Sequence, residues 1–171
     1  KHKMKVLKFG GTSVGTVESL GSVKSIVESC NEPVIVVVSA LGGITDQLIN
    51  TAKLAAQGDK SHLDSYACIV ERHNSVIANM VPAEKIGEVK SIIDPLLDEL
   101  GNIYKGVSLI KDLSERTLDI IVSYGERLSS VIISRIIKDA QHYDSRNFIK
   151  TEKQFSKHIL NNDTTQRYIH A

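Results

Sequence analysis

The sequence predicts an α/β fold, a three-layer α/β/α sandwich around a mostly parallel sheet that is incomplete in this chain. Two short β-branched apolar runs, Met4–Phe9 and Pro33–Ala40, each end in a glycine pair and then give way to helical spacing. The second run, "VIVVVSA", is almost continuously apolar, as suits a strand buried on both faces. Two strands joined through a helix make a parallel βαβ unit.

The elements follow in order. After the first loop, Thr16 is placed to cap a helix carrying Val17, Leu20, Val23 and Val27 on one face and ending near Asn31, ahead of Pro33. After the second, Thr45 is placed to cap a helix with Leu48, Ile49, Ala52 and Ala56, stopping at Gly58. From Ser61 the chain reads as helical for a long stretch: Leu63 to about Val81, then Ala83 to about Tyr104, with Pro95 marking a kink or a fresh start. Ser114–Lys138 is a long apolar helix, Gln141–Ser145 a third strand, and the tail starts a further helix at Thr164 or Thr165. Three strands make a poor sheet for an α/β domain, and all eleven glycines fall at or before Gly125, so the chain reads as part of a longer domain. Lys1–Lys3 stand ahead of Met4, a natural start, and read as a remnant.

Composition bounds the rest. With 42% hydrophobic and 24% charged residues, the 171-residue chain is an ordinary globular one rather than a disordered one. Its 21 basic and 20 acidic residues nearly cancel, and no basic cluster is interleaved with aromatics, which argues against a nucleic-acid partner. The apolar runs are too short or too interrupted to span a bilayer, so no membrane partner is expected. Cys30 and Cys68 share no metal-ligand spacing with each other or with the six histidines, and no secretory signal precedes them. A reducing, cytoplasmic setting is expected, with no metal ligand assigned. A parallel sheet that stops after few strands leaves an unpaired edge, which points to a homo-oligomer.

Ligands of open parallel sheets bind at the carboxyl ends of the strands. There, Gly10 and Gly11 let backbone approach a ligand closely, their amides and the following helix favour an anion, and Thr12 and Ser13 add hydroxyl donors. Lys8, before the turn, brings an ammonium group to the same space, an assembly suited to a phosphoryl group in transfer. A plain strand-to-helix turn with an edge lysine explains the same spacing equally well. "SALGGIT", Ser39–Thr45, repeats the arrangement, although capping alone would justify the Thr45 hydroxyl. On the helix from Ser114, Asp119, Ser123, Glu126, Ser130 and Ser134 form one polar stripe. A solvated face is one reading of it. The small serines around one carboxylate, with Gly125 costing about 1 kcal/mol inside a helix, support close packing or binding.

With "KFGGTSV" (Lys8–Val14), "SALGGIT" (Ser39–Thr45) and "SYGE" (Ser123–Glu126) in order and in context, the sequence resembles the aspartate kinases of the amino-acid kinase family from about Met4 to its end. The resemblance implies transfer of the ATP γ-phosphoryl group to the side-chain carboxylate of L-aspartate, the first step toward lysine, threonine and methionine. Lys8 would then be catalytic, and Lys8, Phe9, Gly10, Gly11, Thr12 and Ser13 would line the phosphate path. Ser39 and Thr45 would hold aspartate, and Glu126 would pair with its ammonium group. Magnesium would arrive with ATP, without a protein ligand of its own. Residues 4–171 would be the N-terminal, amino-acid-binding half of the catalytic domain, of a single or bifunctional enzyme and inactive alone. Other family members, acting on glutamate, acetylglutamate, carbamate or UMP, and a non-catalytic small-molecule-binding module are the alternatives.

Overall fold

A computed structural model describes residues 4–154 and 157–170; Lys1–Lys3, read above as a remnant, lie outside them. The chain divides after Ala140 into two compact units.

In the first unit, β1 (Lys5–Phe9) pairs in parallel with β2 (Val34–Val38), in the register Val6↔Ile35 and Lys8↔Val37. Between them runs α1 (Val17–Glu28), capped as the sequence predicts: the Thr16 side chain accepts from the Ser19 amide at 3.1 Å, and Ser19 Oγ accepts from the Thr16 amide at 2.9 Å. After β2 come α2 (Ile44–Ala56), α3 (Ser61–Met80), α4 (Ala83–Ile110) and α5 (Glu115–Ile136), the last capped by Ser114.

The core lies among the helices. Leu48, Ala52, Ile69, Val89, Ile93, Leu100, Ile121, Leu128 and Ile132 are fully enclosed, and Phe9 and Val38 pack against this cluster from the sheet. The opposite face of the sheet is different: Val6, Ile35 and Val37 are 64%, 48% and 46% exposed, so helices cover one side only. A strand buried on both faces is therefore not what β2 is among the described residues.

Helix α4 runs unbroken through Pro95 to Ile110, past the expected end near Tyr104. A proline removes one backbone donor, and the buried row Ile93, Leu97, Leu100, Tyr104 and Val107 carries the helix across that defect. Tyr104 reaches out of this row to donate to the Leu48 carbonyl at 3.1 Å, which ties α4 to α2.

In the second unit, the expected strand Gln141–Ser145 does not form. Asp144 caps a 3₁₀ turn at Ser145–Asn147, its carboxylate accepting from the Arg146 amide at 3.0 Å, and this local side-chain bond takes the backbone out of extended pairing. Two strands unforeseen in the sequence, β3 (Thr151–Gln154) and β4 (Lys157–Leu160), pair antiparallel. The final helix, α6 (Asn162–Ile169), is capped by Asn161, whose Oδ1 accepts from the Thr164 amide at 2.9 Å, so it starts earlier than Thr164. Among the described residues no helix is long and apolar enough to cross a membrane.

Candidate functional site

Parallel pairing brings the ends of β1 and β2 side by side, and the Ser39 amide extends the ladder by donating to the Phe9 carbonyl at 3.1 Å. Both glycine loops therefore leave the sheet at one edge. In the first, the Gly10 carbonyl accepts from the Ser13 and Val14 amides at 2.9 and 3.3 Å, closing a tight turn. Lys8 is exposed on β1, and its Nζ lies 3.5 Å from where a Cβ on Gly10 would stand, so the ammonium folds over the loop. Phe9 turns inward to the core.

The second loop packs on the first backbone to backbone. A Cβ on Gly42 would come within 2.9 Å of Gly15 Cα and 3.0 Å of the Gly11 carbonyl oxygen, and one on Gly15 would come within 3.1 Å of that oxygen. Side chains are excluded there because two main chains occupy the space. The loop then enters α2 through Gly43, which stands at φ 81° as the N-cap and makes no side-chain capping bond. This corrects the expectation that Thr45 caps the helix. The turn closed by the Ile44 amide on the Leu41 carbonyl, at 2.9 Å, requires a left-handed residue at 43, and glycine meets that requirement at no steric cost. Thr45 lies inside the first turn with its hydroxyl free of capping.

Helix α5 closes the arrangement from the side. Gly125 is buried, and a Cβ there would stand 2.7 Å from Ala40 Cβ and 3.3 Å from Leu48 Cδ1. One turn on, the fully buried Ser129 donates from Oγ to the Ser39 carbonyl at 2.7 Å. Gly125 and Ser129 thus dock α5 on the residue pair Ser39–Ala40, and Glu126, between them in sequence, is exposed. The polar stripe is therefore not one solvated face. Ser123 and Ser134 donate to the helix's own Ile120 and Val131 carbonyls, each at 2.7 Å, and Ser134 is buried.

Among the described residues, the side chains of Lys8, Thr12, Ser13, Ser39, Thr45 and Glu126 have no hydrogen-bond or ion-pair partner. They come from β1, the two loops, the first turn of α2 and α5, which the packing fixes relative to one another. Sequence reasoning passed over Ser129 and read Gly42 only as one of a glycine pair. The signal for Ser129 was present, since a serine four residues after Gly125 sits on an otherwise aliphatic helix face. For Gly42 the glycine pair was readable and its packing partner was not, because the loop facing it is distant in sequence.

Burial shifts titration in the helical core. Burial pushes the Tyr104 hydroxyl far up, and burial together with the Glu99 carboxylate raises Tyr124. Burial holds the His73 imidazole below its ordinary range.

The model of the amino acid kinase family matches residues 3–169. Chloroplastic aspartokinase 2 of Arabidopsis thaliana is 31% identical over 165 residues, which cover 91% of this chain and 29% of that protein. The bifunctional aspartokinase/homoserine dehydrogenase of Buchnera aphidicola is 32% identical over 147 residues, 81% of this chain and 18% of that protein. Among solved structures, E. coli aspartokinase III in complex with aspartate and ADP superposes with a TM-score of 0.85 at 23% identity, covering 98% of this chain and 37% of that one. The chain thus spans less than a third of the curated relatives named here. Matched over almost its whole length by the family model, and sharing the fold of a solved aspartokinase, the chain belongs to the amino acid kinase family.

Proposed function

We propose that the polypeptide carrying this chain is an aspartate kinase, transferring the ATP γ-phosphoryl group to the side-chain carboxylate of L-aspartate to give 4-phospho-L-aspartate, the first step toward lysine, threonine and methionine. Residues 4–171 are its amino-acid-binding half. The observation that carries this reading is the set of unpartnered polar side chains, Lys8, Ser39, Thr45 and Glu126, around two glycine loops locked together at adjacent strand ends.

A carboxylate oxygen of aspartate attacks the γ-phosphorus, the bond to the β,γ-bridging oxygen breaks, and ADP leaves with that electron pair. No proton has to move, because the nucleophile is already ionised. The protein's task is to align two anions and offset their repulsion. Lys8, folded over Gly10, supplies positive charge where phosphoryl oxygens would lie, and the Gly11 and Thr12 amides, which the bonds closing the turn do not use, add donors. The Ser39 and Thr45 hydroxyls hold the amino acid, and Glu126 pairs with its ammonium group. Among the described residues no group of three or more His, Cys, Asp or Glu gathers to hold a metal, and the proposed magnesium ion arrives on the triphosphate.

Two substitutions in the full-length polypeptide separate these roles. Lys8→Ala lowers kcat about 10²- to 10³-fold with little change in aspartate KM, as expected when one preorganised contact to the transition state is lost. Glu126→Gln keeps the shape, removes the charge and raises aspartate KM about tenfold or more while ATP KM holds. Steady-state kinetics with each substrate varied in turn provides the test; an unchanged kcat in the first variant together with an aspartate KM within about twofold of the parent in the second would refute the assignment.

A further inference from the structure

We propose that Arg72 of α3 is a positioning residue of the first glycine loop, holding its exit in place through the Gly15 carbonyl and adding a second cation without an ion-pair partner beside the loop. The proposal rests on the aspartate-kinase reading for its ligand, the triphosphate of a nucleotide.

Arg72 is part-buried, and its Nη2 donates to the Gly15 carbonyl, the last peptide before the α1 cap. That carbonyl belongs to the glycine whose backbone is pressed between Gly11 and Gly42. One guanidinium therefore fixes the point where the two loops interlock. A guanidinium stays charged at any working pH, and its partial burial is costly without a counter-charge. Among the described residues Arg72 has no carboxylate within ion-pair distance, and Lys8 has none either. Glu18, the acid in the first turn of α1, is exposed and engages its own backbone N–H and the Thr16 side chain. On the helix itself, Arg72 stands between Glu71, which is exposed and forms no ion pair with it, and the fully buried His73, whose Nδ1 lies 2.7 Å from the Ile69 carbonyl and so carries the proton.

Two cations beside one short loop, Lys8 on β1 and Arg72 on α3, neither in an ion pair among the described residues, fit an anionic ligand that supplies the missing charge on binding. Lys8 reaches the ligand side of the loop. Arg72 acts through the Gly15 carbonyl, holding the exit of the turn whose inner bonds engage the Ser13, Val14 and Gly15 amides and leave those of Gly11 and Thr12 for a ligand, so its loss falls on the triphosphate rather than on the amino acid held by Ser39, Thr45 and Glu126.

The test compares Arg72→Gln, which removes the charge, with Arg72→Lys, which keeps a cationic donor, in the full-length polypeptide. Arg72→Gln is expected to raise ATP KM and to lower kcat, each by about tenfold, with aspartate KM within about threefold of the parent, and Arg72→Lys to regain most of that loss. Hydrogen exchange without ligand gives a readout independent of catalysis: in Arg72→Gln the amides of Ser13–Thr16 exchange at least about tenfold faster. Unchanged exchange at those amides overturns the proposal. So does an equal loss in both variants that tracks the folded fraction and leaves both KM values unmoved. Absence of aspartate-dependent ADP release from the parent overturns the kinase reading instead, and the exchange experiment still decides whether Arg72 holds the loop.

Discussion

Replacing Gly125 by alanine perturbs the joint between α5 and the second loop and nothing else. On an exposed helix surface the change would stabilise by about 1 kcal/mol, because alanine is the better helix former. Here the added methyl would stand 2.7 Å from Ala40 Cβ, about 1 Å inside the usual carbon–carbon contact. Neither neighbour yields easily. Ala40 Cβ is bonded directly to the loop backbone, and Leu48, whose Cδ1 would lie 3.3 Å away, is fully enclosed. Backbone must move, at a cost of about 1 to 3 kcal/mol for overpacking. Set against the propensity gain, the net effect is a destabilisation of about 0 to 2 kcal/mol, read from the urea midpoint.

The larger effect concerns the site. Gly125 and Ala40 are chain neighbours of Glu126 and Ser39, so a shift of about 1 Å between helix and loop separates two groups proposed to grip one small substrate. Such a misplacement costs on the order of 10² in rate. Ala40→Gly removes the opposing methyl, so the double variant should recover part of both losses, giving a coupling energy of about 1 to 2 kcal/mol in a double-mutant cycle. A Gly125→Ala protein that gains about 1 kcal/mol, with effects simply additive to those of Ala40→Gly, would show that no such joint exists.

Two further outcomes follow from the same core. Ser129→Ala leaves the Ser39 carbonyl without its buried donor and should cost about 1 to 2 kcal/mol in urea unfolding, whereas a loss below about 0.3 kcal/mol would mean that water replaces the hydroxyl freely. His73 is held below its ordinary value of 6.5 chiefly by burial, with the Arg72 charge acting the same way and the Ile69 carbonyl opposing. The unfolded chain therefore binds more protons, and the stability owed to the neutral ring is complete above about pH 6.5 and lost as the pH falls through the lower folded value. Thermal unfolding of the parent should weaken more steeply between pH 7 and pH 5 than that of His73→Gln, and parallel pH slopes would contradict this.

What the sequence made legible is the part written locally. The β-branched runs before the glycine pairs, the Thr16 cap and the aliphatic faces of α1, α2 and α5 are patterns within one helix or strand, and each stands near its expected place. Some misses depend on a partner elsewhere and others on a local turn that overrides the pattern. Strands β3 and β4, with Glu152 opposite Ile159 and Lys153 opposite His158, are held by cross-strand pairing rather than by an apolar pattern. Pro95 sits within α4 because buried residues on either side of it hold the helix together. Thr45 loses the capping position to Gly43 because the preceding turn fixes the backbone first. At the site, the residue types at the strand ends were readable. Their locking was not, since it takes Gly15 against Gly42 and Ser129 against Ser39.

That locking also explains why a lysine stands before the glycine turn rather than after it. A lysine following the turn would leave from α1, whose first turn is already committed to the Thr16–Ser19 capping box. On β1, Lys8 is held by strand pairing with its Cα opposite Val37, on the face of the sheet that the helices leave open. Its ammonium therefore reaches the loop from a rigid strand, while glycine keeps the loop itself low enough to pack under Gly42. The proposed cation, anion cradle and amino-acid grip rest on three elements of one core: the strand pair, the two loops and α5, the last joined to α2 through Leu48. A change to any of these contacts moves at least two of the proposed ligand groups together, so core substitutions such as Gly125→Ala are expected to appear first as kinetic defects and only second as losses of stability.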